Sequence, residues 1–147
     1  MLWLLGLLLL LFALASLSRK AKQRAAVRGL REQFPLVARM RLAAAFQGID
    51  DMLGESDLGV LFDWILAEMC RRAGVRGFAG LMRWAVVHGD DAAAGLAAEV
   101  SRAAVDQLPP PVLAVIDRSD GRLLAGVILD QALTECGNRI PPRLAKH

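Results

Sequence analysis

The sequence predicts an all-α protein with one N-terminal transmembrane helix followed by a small bundle of about five to six helices. No charged side chain occurs from Met1 to Ser18, and beyond them apolar residues recur mostly at the three- and four-residue spacing of helix faces. A hydrophobic share of 55% excludes intrinsic disorder. We divide the chain into a transmembrane signal-anchor (1–18), a basic juxtamembrane helix (19–35), a helical domain (36–139) and a tail (140–147).

The apolar N-terminal segment is predicted to be an uncleaved membrane anchor. As a helix, Met1 to Leu17 would measure about 25 Å, enough for a bilayer that thins slightly around it. A cleaved secretory signal peptide is the alternative, because Ala13-Leu14-Ala15 fits the small-residue cleavage pattern. Signal peptides carry basic residues before their apolar stretch, whereas here the basic residues follow it. Since the flank richer in Lys and Arg stays in the cytoplasm, we expect a cytoplasmic C-terminal domain.

Positive charge is concentrated directly after this segment. From Arg19 to Arg41 there are eight basic residues and one acidic residue, a net +7, whereas residues 42–147 carry ten basic and fourteen acidic residues, a net −4. We expect the first six basic residues to lie along anionic lipid headgroups, with up to about 1 kcal/mol from each. This group, called the collar below, is Arg19, Lys20, Lys22, Arg24, Arg28 and Arg31. A topology signal alone is the alternative; nucleic-acid binding is disfavoured because only one aromatic residue, Phe34, interrupts the basic stretch.

The juxtamembrane segment is predicted to be a helix that ends near a proline. One face of this helix carries Val27, Leu30 and Phe34. Pro35 then predicts a kink or break because it lacks a backbone N–H. A second helix is predicted to follow, with Gly54 as its C-terminal cap. Its apolar stripe is Ala38, Leu42, Phe46, Ile49 and Leu53.

Three further helices are predicted before the proline run at 109–111. Ser56 is expected to cap the first, which ends at Gly74. The segment 77–88 is apolar on nearly every side and predicts a buried central helix. Asp90 or Asp91 is expected to cap the next helix, which runs to Leu108. The inward-facing residues are Leu58, Leu61, Phe62, Ile65 and Met69 in the first of these helices, and Leu96, Val100 and Ala104 in the last.

The region 112–129 allows two interpretations. Its two apolar runs, joined by Arg-Ser-Asp-Gly, could form a β-hairpin, since Asp120-Gly121 is a good turn pair. Neither run alternates between apolar and polar residues, however, and helical spacing continues from Asp130 onward. We therefore predict a short helix from Pro111 to about Ser119 and a longer one from about Gly121 to Cys136.

No catalytic, cofactor-binding or metal-binding residue is assigned from the sequence. Cys70 and Cys136 lack neighbours with metal-ligand spacing and are expected to be small core residues. His88, Asp90 and Asp91 are close in sequence, but such residues at helix ends more commonly act as caps or complement the helix dipole.

These features predict a non-enzymatic adaptor or assembly protein that presents a cytoplasmic helical domain to a protein partner or to a second copy of itself. Trp64 and Trp84 are interpreted first as core residues and otherwise as partner contacts. Fifteen of the eighteen basic residues are Arg and no Tyr occurs, which favours a bacterial source and hence the inner membrane. The alternatives are a small membrane-tethered enzyme or ligand-binding domain, or an exported helical protein with a cleaved signal peptide.

Overall fold

The computed structural model describes the backbone of residues 2–139 and the side chains of residues 4–11 and 21–137. Over this range it contains six α-helices and no β-strand, which confirms the predicted helical bundle and shows that the hairpin alternative over 112–129 is wrong. The predicted tail 140–147 lies outside the described residues. The helices are α1 (Leu2–Ala45), α2 (Glu55–Ala73), α3 (Gly77–His88), α4 (Asp90–Ala104), α5 (Pro110–Arg118) and α6 (Arg122–Arg139), with 3₁₀ turns at Ile49–Asp51 and Val105–Gln107.

Helix α1 is 44 residues long and continues through Pro35, so the predicted break there is wrong. Phe34, Val37 and Leu42 are buried on one side of the helix, before and after the proline. Packing of this continuous face outweighs the roughly 3 kcal/mol by which an interior proline disfavours a helix. The helix ends at Ala45, short of the predicted Leu53, and Gly48 turns the chain with a φ of 88°.

Within the described part of the chain, no helix is both long enough and apolar enough to cross a bilayer. The predicted transmembrane segment falls partly on residues whose side chains lie outside the described set, namely Met1 to Trp3 and Phe12 to Ser18. The collar side chains of Arg19 and Lys20 lie outside it as well.

Several helix ends differ from the predicted caps. Gly54 is the N-cap of α2 rather than the C-cap of the preceding helix, and its N–H donates a 3.1 Å hydrogen bond to the Asp57 carboxylate. Ser56 therefore lies inside the first turn of α2. Asp90 and Asp91 likewise lie in the first turn of α4, whose N-cap is Gly89. Acidic residues in these first turns interact favourably with the positive end of the helix dipole.

The core lies where α1, α2, α4 and α6 pack together. Eleven of the thirteen residues predicted to face inward between Ala38 and Ala104 are buried. The other two, Met69 and Leu96, are partly buried against the core. A side-chain contact joins α1 to α6, since Arg41 donates two hydrogen bonds to one carboxylate oxygen of Glu135, 94 residues away.

Helix α3 lies at the edge of the bundle. The prediction of a buried central helix is wrong, because only Gly80 and Leu81 of this helix are buried, while Val86 and Val87 are 83% and 79% exposed. Helices α2 and α4 cover one side of α3, with a smaller contribution from α1. The all-round apolar character of 77–88 therefore leaves apolar side chains in solvent on the opposite side.

Candidate functional site

An apolar cavity of about 220 Å³ lies between α3 and the rest of the bundle. Helices α1, α2, α3, α4 and α6 all contribute to its wall, and every lining residue is Gly, Ala or a larger apolar residue. Larger side chains on its wall include Phe62, Met69, Phe78, Trp84, Leu96 and Leu133, and the smaller ones include Ala85, Ala93 and Ala97. The cavity can accept an apolar group but offers no polar side chain to act on it.

A basic groove borders this cavity. Arg24, Arg28 and Arg31 of α1 form one wall, since residues spaced by three and four share a helix face. The start of α3, from Gly77 to Ala79, forms the other wall, and Phe78 lines both the groove and the cavity. An apolar compartment and a cationic one therefore meet at a single phenylalanine.

The described collar residues have different surroundings. Arg31 donates two 2.9 Å hydrogen bonds to the carboxylate of Asp63, which ties α1 to α2 and raises the pKa of the guanidinium further above its ordinary value. Arg24 and Arg28 are exposed and make no ion pair with any described residue. Together with Lys22, they are the described collar cations without an ion pair to a described residue, and they remain available to an anion from outside the bundle.

The two tryptophans differ in position. Trp64 is partly buried and packs against the core. Trp84 is also partly buried, lines the cavity and stacks on the ring of His88, with ring centroids 4.5 Å apart. Their role as partner contacts remains a prediction.

Among the described side chains, no hydrogen bond or ion pair joins His88 to Asp90, Asp91 or Cys70. His88 is exposed, and its Nδ1 lies 2.9 Å from the carbonyl oxygen of Trp84. Asp90 and Asp91 are exposed at the start of α4, while Cys70 is buried and its thiol donates to the Gly77 carbonyl oxygen. No group of three His, Cys, Asp or Glu residues within the described range could hold a metal ion.

Both cysteines are buried and are not joined in a disulfide bond, in agreement with their interpretation as core residues. Burial raises the pKa of the Cys70 thiol above its ordinary value. Because the thiolate is the nucleophilic form, this shift makes Cys70 less reactive at neutral pH.

Sequence reasoning missed the cavity. Its signal is the combination of Ala85, Ala93 and Ala97 on facing sides of α3 and α4, where small side chains leave space between the helices. Periodicity places such residues on an inward face but does not report how closely the two helices approach.

Comparisons with protein-family models, curated proteins and solved structures give no match. Function is therefore inferred from the geometry and charge of the cavity, the basic groove and the exposed side of α3.

Proposed function

We propose that this protein is a membrane-anchored, non-enzymatic adaptor or assembly protein whose helical domain contacts a protein partner through α3. The observation that carries the proposal is the exposed apolar side of this helix, formed by Met82, Val86 and Val87 and called the α3 ridge below. Adjacent valines with about four fifths of their surface in water are unfavourable in a monomer and gain by association. No described hydrogen bond or ion pair joins Cys70 or His88 to each other or to the nearby carboxylates, which supports contact rather than catalysis.

The proposed anchor is the N-terminal part of α1. Seven leucines there, Leu4, Leu5 and Leu7 to Leu11, are more than half exposed. Together with the charge-free sequence and the basic collar, this exposure supports a single span with its C-terminal domain in the cytoplasm. We place it in a bacterial inner membrane, where Lys22, Arg24 and Arg28 would meet anionic headgroups.

Reporter fusions test the topology. A C-terminal fusion to a reporter active only in the cytoplasm should be active, and one to a reporter active only in the periplasm should be inactive. The opposite pattern, or a mature N-terminus at Ser16, would contradict the anchor.

Substitution of the α3 ridge tests the adaptor role. Partners crosslinked to the full chain in native membranes should be lost in Val87→Glu and retained in Val60→Glu. Val60 is the matched control because it is a 67% exposed valine on α2. Equal recovery of partners by both variants would show that the ridge is not the contact. A lone monomer without crosslinked species would exclude both a partner and self-association.

A further inference from the structure

The cavity has the size and the surface of a site for one hydrocarbon chain. Its volume of about 220 Å³ exceeds the roughly 150 Å³ of an apolar cavity that binds benzene. It is smaller than the roughly 300–1,000 Å³ of pockets for drug-sized molecules. An entirely apolar wall favours a ligand part that needs no hydrogen bond. The hydrocarbon part of a single acyl chain meets both conditions.

The basic groove supplies the complementary site for an anionic head. Arg24 and Arg28 lie one helical turn apart on α1, and neither is neutralised by a described acidic residue. A guanidinium presents paired N–H donors that match the two oxygens of a carboxylate. Because Phe78 borders both spaces, a molecule whose chain leaves the cavity past this ring would have its head beside these arginines.

We propose that the cavity and the basic groove together bind a single-chain anionic amphiphile of the fatty-acid type. The acyl chain occupies the space between α2, α3 and α4, and the carboxylate contacts Arg24 and Arg28. In this bound state the two arginines hold the carboxylate instead of the membrane headgroups proposed above. Binding involves no covalent step. It overlaps the proposed partner contact only at Met82, which belongs to the α3 ridge and also lines the cavity, whereas Val86 and Val87 do not line it.

Chain length gives the first test. The full chain in phosphatidylcholine nanodiscs is photolabelled with a diazirine-bearing decanoic acid, and hexanoate, octanoate and decanoate compete at equal free concentrations. Affinity should rise about fourfold per methylene and level off once the cavity is filled. Labelled peptides should contain cavity residues such as Met69, Met82 and Leu96. Labelling confined to Leu4–Leu11 would mean that the probe only partitions beside the anchor, and would overturn the proposal.

Head-group charge gives the second test. Decanoate should compete much better than decanol, whereas equal competition would overturn the assignment of an anionic ligand. Arg24→Gln and Arg28→Gln should each weaken decanoate binding about two- to fivefold and leave decanol unchanged. Arg118→Gln is the matched control, because Arg118 is exposed on α5 away from both spaces, and it should bind as the unmodified protein does. If all three variants bind decanoate equally, the groove does not hold the head.

Filling the cavity gives the third test. The double variant Ala93→Leu and Ala97→Leu should abolish labelling, whereas Ala94→Leu, at an exposed position of the same helix, should not. The two tests above use the unmodified cavity and remain decisive if the double variant fails to fold. A variant ending at Arg139 should bind the probe unchanged. A tenfold gain in the affinity of this variant for the probe would identify residues 140–147 as the occupant of the cavity and overturn the proposal. Stronger competition by anionic phospholipid vesicles than by decanoate would overturn it as well.

Discussion

The ring of Phe46 packs directly against the backbone of Gly121. A Cβ built on Gly121 would lie 2.8 Å from Cζ of Phe46 and closer still to Cε1. Phe46 follows α1, and Gly121 immediately precedes α6, so this contact sets how closely the two helices approach. Only a residue without a side chain fits there.

Gly121→Ala should therefore destabilise the domain. Overpacking of a buried site costs about 1–3 kcal/mol, because Phe46 or the start of α6 must move. Gly95→Ala is the control, since Gly95 is an exposed helical residue with open space around its Cβ position. It should stabilise by about 0.5–1 kcal/mol through the lower entropy of the unfolded chain. Urea denaturation measures the free energy of unfolding of both variants. Equal changes in the two variants would show that the Phe46 ring moves aside without cost.

Ile65→Ala should reduce the free energy of unfolding by about 2–5 kcal/mol. Ile65 is 1% exposed in the core and also lines the cavity, so truncation removes apolar contacts and enlarges the space beside it. Val60→Ala, on the exposed side of α2, should change stability by less than about 0.5 kcal/mol. Similar losses in the two variants would contradict the assignment of the core face of α2.

The Arg41–Glu135 pair should show measurable coupling between α1 and α6. A double-mutant cycle with Arg41→Gln and Glu135→Gln should give a coupling energy of about 1 kcal/mol. Both side chains are only partly exposed, so water screens their attraction less than at the open surface. The same cycle on Arg31 and Asp63, which are each more than half exposed, should give a smaller coupling that decreases further in 0.5 M salt. A larger coupling energy for Arg31–Asp63 than for Arg41–Glu135 would contradict this prediction.

Acid should weaken the domain partly through Glu68. Hydrogen bonds from Arg71 and then Arg72 lower the pKa of Glu68 from 4.5 to about 2. Because the folded-state pKa lies below the unfolded one, this contribution is present above pH 4.5 and is lost as the pH falls towards 2. The melting temperature of Glu68→Gln should therefore be below that of the unmodified protein at pH 7, with the gap closing near pH 2. Glu32→Gln, at an exposed site in the middle of α1 without a described ion pair, should keep a constant offset; parallel curves for Glu68→Gln and Glu32→Gln would contradict the role of the Glu68 ion pairs.

The helices were predictable from sequence because local spacing determines which residues share a face. The stripe from Leu58 to Ile65 and the turn at Gly74 needed no knowledge of the neighbouring helices. Burial of α3 was not predictable in the same way, since Val86 and Leu81 are equally apolar and only the position of the surrounding helices separates them. Pro35 shows the same limit, because tertiary packing outweighs the local preference of the proline.

Glu135 follows Arg41 by 94 positions in the sequence, and this separation also determines when the domain can form during synthesis. At roughly 5–20 residues per second, a ribosome needs about 5–20 s to synthesise this stretch. For that interval α1 has been synthesised while α6, which packs on it, has not. The nascent chain must therefore keep an apolar face unpaired, and a chaperone has its longest opportunity to bind there before release of the finished protein.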